Sequence, residues 1–117
     1  MKVMSMKKAY HVKKEQEFQA VINEQNSCAN RNLVLFVLHK PNQKHFRYGL
    51  SVGKKVGNAV CRNRVKRQLR ESIFQIKDDL PTDIDFILIA RANIKNLSTA
   101  EVKSNLVHIC KLGKILK

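Results

Sequence analysis

Between Lys54 and Arg70 the chain places Lys54, Lys55, Arg62, Arg64, Lys66, Arg67 and Arg70, with no acidic residue among them. That density is roughly twice what an even spread of the basic residues would give, and the missing acids leave the local field strongly positive. The chemistry available to such a segment is anion recognition. A guanidinium is a planar fork that donates two parallel hydrogen bonds to one oxyanion, which suits phosphate. Most charge runs are solvated helix faces, but the whole composition points the same way. Lys and Arg number 23 against 9 Asp and Glu, a net charge of +14. Such an excess works against a compact state by self-repulsion and is expected where a polyanion is the partner.

Other chemistries find less support. Gly53-Lys54-Lys55-Val56-Gly57 lacks the spacing and the following Lys-Ser/Thr of a phosphate-binding P-loop. Asp78, Asp79, Asp83 and Asp85 form the one acidic cluster that could serve a two-metal nuclease. They surround Pro81 and read as a solvated connection. Cys28, Cys61 and Cys110 form no C-x-x-C pair and no zinc spacing with His11, His39, His45 or His108, so they read as reduced, partly buried thiols, with no metal site. No Ser/His/Asp arrangement follows from spacing, and the histidines read as surface or turn residues.

The basic segment needs an element to hold it. A helix is expected from about 59 to 77, with Val65, Leu69, Ile73 and Ile76 within a narrow arc at ~100° per residue. Arg64, Arg67 and Arg70 fall opposite, with Asn63 between them and Lys66 on the flank. One face can then dock on a sheet while the other presents guanidinium groups. The helix start, near Asn58 to Arg62 beside the flexible loop 53–58, favours an anion through its free N–H groups and positive dipole end.

Around this helix the pattern predicts a first helix over 14–24, whose stripe is Phe18, Val21, Ile22 and Gln25, followed by a turn-like stretch over 26–30. The apolar run Leu33–Leu38 predicts a central strand. Phe46, Tyr48, Leu50 and Val52 alternate with polar or small residues, so 46–52 predicts a half-buried strand, paired with the first as an antiparallel hairpin. A third strand covers 84–90. A last helix starts at Ser98, where Ser98 and Glu101 match a capping box and Val102, Leu106, Ile109 and Cys110 share one face. The fold class is α+β, a two-layer α/β sandwich of helices on a small sheet.

The 117 residues fit one domain, 1–117, with 1–8 expected to be a disordered basic N-terminus. Met1, Met4 and Met6 leave the start open, and Met6 would serve equally well. No apolar run approaches the ~20 residues of a spanning helix, and the basic start lacks the apolar stretch of a signal peptide. A cytoplasmic location and no membrane partner are expected.

Gly57-Asn58-Ala59-Val60-Cys61-Arg62-Asn63-Arg64-Val65-Lys66-Arg67, continued by Arg70-Glu71, closely resembles the signature of the bacterial ribonuclease P protein subunit, centred on Arg62-Asn63-Arg64. The resemblance runs along nearly the whole chain, through Lys13-Lys14 and Phe18, Ala29-Asn30-Arg31, Gly49-Leu50-Ser51-Val52 with Lys54-Lys55, and Ile87-Leu88-Ile89-Ala90-Arg91. It implies a fold similar to the second domain of ribosomal protein S5, with a left-handed β-α-β crossover where crossovers are ordinarily right-handed. It also implies four strands, one more than the pattern reveals.

The resemblance further implies a subunit of an endoribonuclease that removes the 5′ leader from precursor tRNA, with catalysis by an RNA subunit and its Mg²⁺, and no catalytic residue on the protein. Lys54, Lys55, Asn58, Arg62, Asn63, Arg64, Lys66, Arg67 and Arg70 would bind the catalytic RNA, one protein per RNA. A cleft between the first helix and the sheet would hold the single-stranded leader with Phe18, Ile22 and Phe36, beside Lys13, Lys14 and Arg31. Single strands are held by stacking platforms beside positive charge, although plain core packing is the alternative for Phe18 and Phe36. Ile22 stands where relatives can carry an aromatic, the tail Ile115-Leu116-Lys117 lacks one found in some relatives, and Gly53 stands where serine is common. Two rivals are a structural or ribosomal RNA-binding protein of similar fold and a protein-only metal nuclease built on Asp83 and Asp85.

Overall fold

A computed structural model of the chain describes residues 10–117. The expected disordered start over 1–8 and the choice of initiating methionine lie outside the described residues. The elements are α1 (Glu15–Asn23), β1 (Ser27–Ala29), β2 (Leu33–His39), β3 (Arg47–Ser51), α2 (Ala59–Ile76), β4 (Ile84–Ala90) and α3 (Thr99–Leu112), with short 3-10 turns at Lys77–Asp79 and Ala92–Asn96. One mixed four-stranded sheet has the order β1-β2-β4-β3.

The expected hairpin between 33–38 and 46–52 does not form. β4 lies between these two strands, antiparallel to β2 and parallel to β3. The physical reason is burial: Ile84 to Leu88 are all buried, on both faces of the sheet, and such a run is most stable with a hydrogen-bonded neighbour on each edge. The half-buried β3 takes the edge instead. Because β3 and β4 are parallel, α2 must carry the chain across the sheet between them. The true hairpin is β1 with β2, where Ser27 faces Phe36 and Ala29 faces Val34. β1 carries no period to read. It is fixed by Asn30, whose side-chain oxygen accepts from the N–H groups of Asn32 and Leu33 and folds the turn.

Sheet register assigns the faces. Leu33, Leu35 and Val37 of β2, Tyr48 of β3, and Phe86 and Leu88 of β4 join Val65, Leu69 and Ile73 of α2 and Val102, Leu106 and Ile109 of α3 in one buried core. The apolar arc expected on α2 is therefore the docking face, and Gln68 and Ser72 join it. Gln68 reaches Thr99 at 3.0 Å, and Ser72 donates back to the Gln68 carbonyl at 2.8 Å. The capping box of Ser98 and Glu101 starts α3 as expected.

The opposite face holds Arg47 and Gly49 of β3, Asp85 and Ile87 of β4, and Phe36 of β2. α1 covers part of it, with Val21 and Ile87 fully buried. Gln25 is not on its stripe: with φ 61° it has left the helix.

Gly49 lets α1 approach. A Cβ there would lie 2.7 Å from Ile87 Cδ1 and 3.1 Å from Phe18 Cε2. Gly49→Ala should therefore cost about 1–3 kcal/mol by overpacking, read as a lowered midpoint in urea. An unchanged midpoint would show that Phe18 and Ile87 yield freely.

Asp85 corrects the reading of the acidic cluster as a solvated connection. Its side chain is 1% exposed, and Arg47 donates to both of its oxygens, from Nε at 3.1 Å and Nη2 at 2.6 Å. Arg47 also bonds Glu17 of α1 at 3.0 Å, and Lys40 Nζ stands 3.8 Å from Asp85. The hydrogen bond from Arg47 holds the Glu17 carboxyl below its ordinary range. Asp78 and Asp79 remain exposed.

Candidate nucleic-acid interface

The loop before α2 is less free than its composition suggests. Val56 is fully buried and anchors it, and turn hydrogen bonds run from Val56 N to Gly53 O and from Gly57 N to Lys54 O. Lys54 and Lys55 are left exposed at the tip. Gly57 has φ 153°, and a Cβ there would meet Cys61 Cβ and Sγ at 3.0 Å, so the entry to α2 requires glycine. Gly53 has open space where its Cβ would be. Asn58 is the N-cap: its side-chain oxygen accepts from Cys61 N at 2.9 Å, leaving its NH₂ group to donate outward. The first turn of α2 carries no acid, so its positive end is uncompensated.

The arginines of α2 fan out instead of forming one stripe. Arg67 and Asn63 are exposed. Arg64 is also exposed, but its Nη2 donates to the Lys95 carbonyl at 2.8 Å, which turns it toward the 92–96 segment. Arg70 and Lys66 are half-buried on the other flank, where both line a cavity with Tyr48 of β3. Arg62 is half-buried, with its Nε shielded and without a partner among the described residues. The expected single guanidinium face is thus spread over three sectors. At ~100° per residue, 64 and 70 stand about 120° apart on the wheel, and the sheet edge and the 92–96 segment each draw one of them sideways.

No carboxylate holds any of these groups. Among the described residues, ion pairs join His39 to Asp83, Lys40 and Arg47 to Asp85, Arg47 to Glu17, and Lys77 to Asp78. None involves Lys54, Lys55, Arg62, Arg64, Lys66, Arg67 or Arg70. The acids that do form ion pairs, Glu17, Asp78, Asp83 and Asp85, pair with other cations.

The leader set expected on the other side of the sheet is brought together in part. Phe18 and Ile22 sit one turn apart on α1 and are half-buried, with the Phe18 ring over Gly49. Phe36 is half-buried on the same sheet face, in the row that runs through Ile87 to Gly49. Neither aromatic belongs to the main core, which lies on the opposite face. Lys13, Lys14 and Arg31 are exposed. Val12, Lys13, Lys14, Glu15 and Phe18 line a shallow cavity of about 270 Å³ at the start of α1.

Sequence reasoning missed two features. Val60 is 79% exposed on the first turn of α2, and the helical wheel sets it between Arg64 and Arg67, so the signal was available. His11 is no simple surface histidine: its Nε2 lies 3.1 Å from the Tyr48 hydroxyl, and only the fold brings them together. Among the described residues, no three His, Cys, Asp or Glu side chains come together to hold a metal ion, and no helix is long and apolar enough to cross a membrane. Cys28, Cys61 and Cys110 are free, the first two half-buried and Cys110 buried, as expected of reduced thiols.

The family model described as Ribonuclease P matches residues 6–113. The chain belongs to the ribonuclease P protein family. It is 60% identical to the ribonuclease P protein component of Enterococcus faecalis, over 95% of this chain and 94% of that one. It is 58% identical to that of Latilactobacillus sakei, over 96% and 93%. The structure of the Staphylococcus aureus RNase P protein, 38% identical, superposes with a TM-score of 0.87 over 94% of this chain and 100% of that chain. The α+β fold with three helices and a four-stranded mixed sheet is thus the ribonuclease P protein fold. The chain's role is that of the protein subunit of ribonuclease P, the enzyme that removes the 5′ leader from precursor tRNA.

Proposed function

We propose that the protein works as one domain over 1–117, one copy per catalytic RNA in the cytoplasm, and grips two stretches of RNA with two surfaces. Lys54, Lys55, Asn58, Arg62, Asn63, Arg64, Lys66, Arg67 and Arg70 bind the catalytic RNA. The observation that carries this reading is the absence of any ion pair along that segment, next to a helix start with no acid in its first turn. Phosphates that meet these groups displace counterions and need not compete with internal carboxylates. Val60 adds an apolar contact for a ribose or base at the centre of the patch.

Phe18, Ile22 and Phe36, flanked by Lys13, Lys14 and Arg31, hold the single-stranded leader. The half-buried aromatics on the α1 face support this reading, since a stacking platform must be partly open. With one aromatic fewer on α1, the leader here is held by charge and aliphatic contact more than by stacking.

The hydrolytic chemistry belongs to Mg²⁺ held by the RNA subunit, which activates water for attack on the phosphodiester. The acidic cluster around Pro81 does not suit that ion: Asp85 is committed to Arg47 and Lys40, Asp83 faces His39, and Asp78 and Asp79 stand exposed on a turn. The protein supplies phosphate neutralisation and leader capture.

Mixing the protein with bacterial ribonuclease P RNA and precursor tRNA at low Mg²⁺ tests the reading. Cleavage of the leader should be stimulated over RNA alone, and the gain should grow with leader length. Equal rates with and without protein would rule the reading out, as would cleavage by the protein without any RNA subunit.

A further inference from the structure

On the flank of α2 that faces β3, a cavity of about 170 Å³ is lined by His11, Tyr48, Gly49, Lys66 and Arg70, with Phe18 at its rim. The cavity is half open to solvent, and its polar groups are cationic or neutral. The Arg70 guanidinium faces the Tyr48 hydroxyl, but its Nε is shielded from solvent with no hydrogen-bond partner among the described residues, and neither Lys66 nor Arg70 meets a carboxylate. A buried guanidinium N–H left unsatisfied is costly, and an oxyanion is the natural group to satisfy it. No acid lines the cavity, and Glu17 of α1 is held by Arg47.

His11 completes the wall. Its ring stands 5.0 Å from that of Tyr48, and its Nε2 lies 3.1 Å from the Tyr48 hydroxyl. Burial first, then the charges of Arg70 from α2 and Lys13 from its own segment, push the imidazole below its ordinary pKa. Lys66 adds a further cation from α2, and Tyr48 of β3, pushed up chiefly by burial, contributes a neutral hydroxyl. These groups therefore disfavour a charged imidazole, and an anion placed among them reverses the balance.

We propose that this cavity is a subsite for one backbone phosphate of single-stranded RNA, and that His11 takes up a proton from solvent as the phosphate enters. In the bound state Nε2–H donates to the Tyr48 oxygen and Nδ1–H faces the anion, beside the Arg70 and Lys66 donors. The site lies between the basic face of α2 and the Phe18 ring of α1, so the strand that supplies the phosphate can stack its neighbouring base on Phe18. The inference rests on the RNA-binding reading of these surfaces and adds a proton-linked step to it. A rise of one unit in the His11 pKa on binding corresponds to about tenfold tighter binding at the acid end of its range.

The test uses the full chain and an eight-nucleotide single-stranded RNA with no terminal phosphate, titrated at constant ionic strength between pH 5.5 and 8. Affinity of the wild type should rise about three- to tenfold as the pH falls, whereas His11→Gln should bind with a flat profile. The glutamine keeps a partner for Tyr48, and His39, His45 and His108 remain in both proteins as internal controls. A second measurement needs no variant. The His11 imidazole NMR resonance should titrate at higher pH in the presence of sulfate, whose charge is constant over this range, than in its absence. Repeating the affinity titration with ribonuclease P RNA separates a leader phosphate from one in the catalytic RNA, according to which ligand carries the pH dependence. The same pH dependence in His11→Gln as in the wild type, or a His11 resonance indifferent to sulfate and RNA, overturns the subsite while leaving the interface standing. Failure of both RNAs to bind at any pH overturns the interface and the subsite with it.

Discussion

Asp85→Ala is expected to destabilise the protein by about 3–5 kcal/mol, the largest loss for any single side chain outside the apolar core, because it strands a charge under a helix. Arg47 gives Asp85 two hydrogen bonds beneath α1, and Lys40 stands close by. With the carboxylate gone, Arg47 keeps only Glu17, which is partly open to solvent and screened. For a domain whose total stability is on the order of 5–15 kcal/mol, that loss leaves little in reserve. Urea unfolding measures it directly, and Asp85→Asn should recover part of the loss through hydrogen bonding alone. A loss below about 1 kcal/mol would mean that the ion pair is far better solvated than its burial implies. Because Arg47 ties α1 to the sheet through Glu17, hydrogen exchange in α1 should rise before exchange in α2 or α3.

The second large effect concerns RNA. Lys54→Ala, Lys55→Ala and Arg67→Ala combined should reduce the slope of log affinity against log salt by about two to three units, since each phosphate contact contributes a little under one. At moderate salt, binding to ribonuclease P RNA should weaken on the order of a hundredfold. These three side chains are exposed, make no ion pair and take no part in the core, so the variant should fold normally. Arg64→Ala is a different experiment: its guanidinium also holds the Lys95 carbonyl, so part of its effect would come from loosening the 92–96 segment. An unaltered slope in the triple variant would move the RNA surface elsewhere on the molecule.

Much of this arrangement could be read directly from residue order. The period of Val65, Leu69, Ile73 and Ile76 marked the docking face of α2, Ser98 and Glu101 marked the start of α3, and the unbroken run at 84–90 marked β4 to the residue. What stayed hidden was pairing. Periodicity says that a strand exists and which of its faces is buried, but not which strand lies beside it, so adjacency of β2 and β3 in sequence does not make them neighbours in the sheet. β1 escaped because three residues are too few to show alternation, and its stability comes from the turn at Asn30. Asp85 looked like one more acid near a proline until β3 brought Arg47 opposite it. The leader-side residues were legible only through family resemblance, because a half-exposed aromatic on a strand has the same spacing as a buried one.

The strand order has a consequence for biosynthesis. β4, the strand on which both β2 and β3 pair, is the last of the four to leave the ribosome. Until Ala90 has cleared the exit tunnel, the emerging β1–β2 hairpin and β3 present unpaired edges and an uncovered apolar surface. A nascent chain stalled ahead of residue 84 is therefore a sticky, incomplete sheet, while one stalled after α3 has emerged can already close. Ribosome-bound chains of graded length should acquire protease resistance in a single late step, and the shorter ones should be clients for chaperones.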